Sequence, residues 1–125
     1  MEYKELYRIA QDMVPMAYAP YSKFHVGAAL LAESGKVYTG INVENASYGG
    51  TICAERTAAV KAVSEGERKF TAIAVASSGG EAMPCGICRQ FLFEFDDGLV
   101  VISGEDEEHL HINKLVELLP GGFEL

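Results

Sequence analysis

The 125-residue chain has no tryptophan, only three cysteines, and few cations: Lys and Arg total 10 against 18 Asp and Glu, for a formal charge of −8. Each shortage excludes something. An acidic chain without a basic stripe has no means of displacing counterions from a phosphate backbone, so a nucleic-acid partner is not expected. No apolar run approaches the length of a signal core or a membrane span, so no membrane partner is expected and the protein is read as cytoplasmic. Three cysteines is an odd count, and a disulfide would strand one thiol. In a reducing compartment metal binding or catalysis is the expected use, with burial as small hydrophobes the plain alternative.

What is there reads as globular: 49% of residues are hydrophobic and 22% charged, in a length that suits one domain over residues 1–125. From Glu2 to Met16, Leu6, Ile9, Ala10, Met13 and Val14 recur at helical spacing. Val26 to Ala32 and Val37 to Val43 read as strands joined by Glu33-Ser34-Gly35-Lys36. The polar stretch Asn42 to Ile52 reads as a loop before a helix from about Cys53 to Gly66, with Thr51 or Ile52 at its start. Thr71 to Ala76 is a continuous apolar run, as in a strand buried on both faces. Pro84 stands where prolines open helices, and Phe91, Leu92 and Phe95 line one side of the helix expected there, which Asp97-Gly98 closes. Leu99 to Ser103 and His109 to Ile112 read as further strands, and Leu115 to Leu119 as a last short helix. Helices interleave with strands, so the expected class is α/β, one sheet covered by helices.

The chemistry concentrates in Cys53-Ala54-Glu55 and Pro84-Cys85-Gly86-Ile87-Cys88. Three thiolates can hold a Zn²⁺ and leave its fourth position open, with a carboxylate beside it to handle protons. A CxxC pair alone is shared by redox dithiols and structural zinc sites. Position adds to it: all three cysteines fall at the starts of two helices, whose unpaired N–H groups and partial positive charge stabilise thiolates. Arg56 follows Glu55 and can donate to the sulfurs, drawing off charge that would weaken the metal as a Lewis acid. A closed structural site would instead need His25, His109 or His111 as fourth ligand.

The run Gly40-Ile41-Asn42-Val43-Glu44-Asn45-Ala46-Ser47-Tyr48, then Thr51-Ile52-Cys53-Ala54-Glu55-Arg56-Thr57-Ala58 and Pro84-Cys85-Gly86-Ile87-Cys88-Arg89-Gln90 resembles the small, single-domain cytidine deaminases of the homotetrameric type. The likeness runs from Tyr18-Ala19-Pro20-Tyr21-Ser22 and Val26-Gly27-Ala28-Ala29-Leu30 to Leu118-Leu119-Pro120. It implies a three-layer α/β/α fold with a mixed five-stranded sheet and one zinc per chain on Cys53, Cys85 and Cys88. The activity it implies is hydrolytic deamination of cytidine and deoxycytidine in pyrimidine salvage, with Glu55 as proton shuttle while water, activated by zinc and Glu55, attacks C4. It further implies that Asn42 and Glu44 hold the ribose, that Phe24 packs on the pyrimidine, and that the Ala54 backbone meets the base. Ala46, Tyr48 and Phe123 match positions reaching into a neighbour's site, which implies a homotetramer with shared active sites. Gly49-Gly50 departs from the family's usual Gly-Leu or Pro-Leu. A blasticidin S-type deaminase group also carries Gly-Gly, so another small aminopyrimidine substrate, or a non-catalytic zinc-binding module, stands as the alternative.

Overall fold

The computed structural model describes residues 1–125. Its elements are α1 (Tyr3–Met13), β1 (Val26–Ala32), β2 (Val37–Ile41), α2 (Ala54–Ser64), β3 (Phe70–Ser77), α3 (Gly86–Phe93), β4 (Val100–Gly104) and β5 (Leu110–Lys114), with 3₁₀ turns at Val14–Met16, Tyr48–Gly50 and Leu115–Leu118. The strands form one sheet in the order β2-β1-β3-β4-β5. Antiparallel pairing joins β1 to β2 and to β3, and β4 to β5. β3 and β4 run parallel, so the chain must cross over between them, and α3 makes that crossing.

Alternation along the strands sorts side chains into two cores, one per face. Ala28 and Leu30 of β1, Ile73 and Val75 of β3 and Val101 of β4 pack under α2 with Ala54, Ala58, Ala59 and Ala62. Ala29, Ala72, Ala74, Ala76 and Ile102 face the other way and meet Leu6, Tyr7 and Ala10 of α1. The result is α/β/α layering, and the run within β3 is buried on both sides. Two glycines make the layers close. A Cβ on Gly27 would stand 2.2 Å from the Ala10 carbonyl oxygen, and one on Gly40 would stand 2.2 Å from that of Ala54. Gly40 therefore lets the first turn of α2 lie directly on the sheet.

Several boundaries differ from the sequence expectation for local reasons. α1 stops at Met13 and Val14–Met16 tightens to 3₁₀, since Pro15 has no N–H to continue the ladder. β2 ends at Ile41 because the Asn42 side chain turns back to the backbone of Phe24 and Val26. α2 starts later than Thr51 or Ile52: Cys53 is its N-cap, and Gly66, at φ 98°, follows its end. Pro84 lies one residue before the N-cap of α3, Cys85, and that helix ends at Phe93, ahead of Asp97-Gly98. Leu115–Leu118 forms a single 3₁₀ turn. No helix is long and apolar enough to cross a membrane.

Candidate active site

Val43 closes the loop that precedes α2. It pairs with Tyr18 on one side and with Ile52 on the other, which sets Asn42 and Glu44 beside the residues leading into Cys53. Cys53 caps α2 and Cys85 caps α3, both in extended conformation and neither capping with its own side chain. The free N–H groups of two helix starts therefore converge where the sulfurs lie.

Cys88, on the first turn of α3, is fully buried. The Sγ atoms of Cys53, Cys85 and Cys88 all lie within 4.8 Å of one another. All three thiols are free, and Sγ of Cys53 is 3.7 Å from that of Cys85. Sulfurs held about 2.3 Å from a tetrahedral zinc stand about 3.8 Å apart, so this trio suits one zinc ion. No histidine joins the group: His25 bonds the Lys23 carbonyl, His109 meets Asp106, and His111 meets Glu81. The donor group that suits a zinc ion is therefore three sulfurs and no histidine.

Arg56 stands three residues after Cys53 on the same turn and donates Nη2–H to its sulfur at 3.4 Å. Its Nε is buried without a hydrogen-bond partner. A guanidinium so placed fits an electron-rich sulfur centre better than three neutral thiols. The bond to Cys53 raises its own pKa further. Within the trio, hydrogen bonding from Cys88 and then Arg56 lowers the pKa of Cys53. The same bond, with burial and the nearby Glu55, pushes Cys88 up.

Glu55, only 4% exposed, lines a cavity of about 220 Å³. Burial raises its pKa to about 7, and the Cys53 charge adds to that, while its own backbone N–H opposes it. Such a carboxyl can both accept and return a proton near neutrality. Asn42 and Glu44 line the same cavity. Asn42 spends Oδ1 on the Val26 N–H at 2.9 Å and one N–H on the Phe24 carbonyl at 2.8 Å, leaving one N–H and one lone pair free. Glu44 accepts the backbone N–H groups of Tyr21 and Ser22 and the Ser22 hydroxyl, the last of which does most to hold its carboxyl below the usual range.

Phe24 forms an apolar wall of the cavity and follows Lys23, whose φ is 62°. The ring packs against Gly79, where a Cβ would come within 2.9 Å of it. Ala54 reaches the cavity as well. Ala46, Tyr48 and Phe123 do not line it; Tyr48 is 82% and Phe123 61% exposed. Sequence reasoning missed the rest of the wall, among it Val26, Thr51, Val75, Ala82 and Met83. The sequence marks Val26 and Val75 as strand residues alone, and nothing in the pattern of Ala82-Met83 marks it as a wall.

A family model described as the cytidine and deoxycytidylate deaminase zinc-binding region matches residues 1–103. The chain is 47% identical to a cytidine deaminase of Sporosarcina psychrophila, over 98% of this chain and 92% of that one. It is 52% identical to a probable cytidine deaminase of Dictyostelium discoideum, over 91% of this chain and 78% of the relative. The crystal structure of cytidine deaminase from Burkholderia pseudomallei superposes with a TM-score of 0.92 at 43% identity, covering 98% of this chain and all of that one. That from Mycobacterium tuberculosis gives 0.87 at 38% identity, covering 100% and 99%.

Proposed function

The chain belongs to the cytidine deaminase family, and on that premise we propose that it is a single zinc-dependent domain that hydrolyses cytidine and deoxycytidine to uridine and deoxyuridine plus ammonia. The observation that carries this is the juxtaposition of three sulfurs with a buried carboxyl, Glu55, in one cavity. Cys53, Cys85 and Cys88 hold the zinc. When bound, it supplies a Lewis acid that makes water a competent nucleophile near neutral pH.

Glu55 does the proton work. Its carboxylate takes a proton as water attacks C4 of the pyrimidine and returns it to N3; it then takes the proton of the new C4 hydroxyl and delivers it to the amine as the C4–N bond breaks. Phe24 packs on the ring and the Ala54 backbone meets the base, while the free groups of Asn42 and the ionised Glu44 take the ribose hydroxyls. Turnover of cytidine, deoxycytidine and blasticidin S by the same zinc-loaded preparation tests the substrate. Uridine formation is the expected outcome; preference for blasticidin S would overturn it and give meaning to Gly49-Gly50.

Arg56 keeps the sulfur charge from blunting the metal. Arg56→Gln is expected to retain zinc and lose about 10- to 100-fold in kcat, the usual cost of removing a group that tunes a metal ligand. Steady-state rates on protein of measured metal content check it.

The chain assembles as a homotetramer in which Ala46, Tyr48 and Phe123 complete a neighbour's cavity. Support comes from the exposure of two large apolar side chains that serve no site in their own subunit. Specific activity is expected to fall on dilution through the dissociation range, followed by light scattering. A monomer of undiminished activity would refute the shared site.

A further inference from the structure

One wall of the cavity is made by an irregular segment that leads into α3, and its anchor lies outside the cavity. Residues 78–84 connect β3 to α3 and carry Ala82 and Met83 into the wall just before the ligand Cys85. No ladder fixes their side chains. Instead Ser103 of β4, which is fully buried, places one hydroxyl 2.8 Å from Oε2 of Glu81 and 3.1 Å from Sδ of Met83. His111 of β5 holds the same Glu81 oxygen through Nδ1 at 2.6 Å. The bonds from His111 and then Ser103 keep the Glu81 carboxyl below its ordinary range. Met83 is also the residue shared between the cavity and an outer groove that Glu81, His111 and Asn113 line.

We propose that Ser103, Glu81 and His111 form a positioning cluster that holds Met83 in the substrate-facing wall, which makes Met83 a determinant of substrate fit. Methionine has three freely rotating side-chain bonds and fills gaps without fixing itself. A wall built from it needs an outside constraint. The buried hydroxyl gives its single proton to the carboxylate, Met83 Sδ packs on the same oxygen at 3.1 Å, and His111 ties the carboxylate to β5. The sheet's far edge thereby sets the shape of the cavity. None of these three groups touches the reacting atoms, so the effect falls on binding and not on proton transfer.

The inference rests on the deaminase reading, and two measurements separate them. In Ser103→Ala, KM for cytidine is expected to rise about fivefold with kcat and zinc content retained, the scale of one lost hydrogen bond. Glu81→Ala, at a residue outside the core, should do the same, and Glu81→Gln, which can still accept from Ser103, should recover most of the loss. The second measurement is the methyl spectrum of protein labelled on its four methionines: Met83 should shift in Ser103→Ala and in Glu81→Ala while Met1, Met13 and Met16 stay. Variants that lower thermal stability yet leave KM and the Met83 methyl unchanged would overturn the proposal. If the wild type fails to deaminate cytidine, the deaminase reading falls and the Met83 methyl alone decides the positioning role.

Discussion

Glu55→Gln is expected to bind zinc in full and to lose turnover by about 10³- to 10⁴-fold, the upper range for removing a general acid–base group. The amide fills the space of the carboxyl and leaves the three sulfurs untouched, so metal content should not change. What it cannot do is accept a proton at C4 attack or carry one to N3 and the amine. A loss confined to kcat, with substrate still bound, is the expected signature. Stability gives a control on metal-free protein. Glu55 has a folded pKa of about 7 against an ordinary 4.5, so the folded state binds its proton more tightly than the unfolded chain does. Its contribution is full below pH 4.5 and is lost as pH rises through 7. Glu55→Gln removes that decline, which denaturation at a series of pH values would detect. Near-normal turnover in this variant would remove Glu55 from the mechanism.

Cys88→Ala is expected to abolish both stoichiometric zinc and activity, with kcat/KM down by about 10³-fold or more, since metal and activated water go together. Cys88 is the fully buried member of the trio, so its loss also leaves Arg56 facing fewer sulfurs in a buried place. Zinc bound between the starts of α2 and α3 favours the folded state over the unfolded one. Tm of the wild type should therefore rise on adding zinc to metal-free protein, and Tm of Cys88→Ala should not. A variant that keeps one zinc per chain would show that the trio is not the ligand set.

Much of this site was legible because its chemistry is carried by rare residue types at helix starts. Cys53, Cys85, Cys88 and Glu55 are conspicuous in a chain with three cysteines, and the polar Asn42-Val43-Glu44 run stands out against the apolar strand before it. The two-sided burial of β3 was legible from its unbroken apolar run, and α1 from its periodicity. The helix starts were legible to within a residue or two but the cap itself was not, because a cysteine N-cap offers none of the usual oxygen acceptors that mark a helix start. Nor was the Val43 pairing with Tyr18 and Ile52, which depends on chain segments meeting in space. Met83 and Ser103 were invisible for the same reason: twenty residues separate them, and their contact exists only once β4 lies beside β3.

One zinc on three cysteines is what makes this chain a cytidine deaminase. The most direct test is a titration of zinc into metal-free protein while the absorbance change from cytidine to uridine and the release of ammonia are followed together. Activity is expected to rise linearly to saturation at one zinc per chain, with one ammonia released per uridine formed. Equal activity without metal, or a fully zinc-loaded protein that leaves cytidine intact, would contradict it.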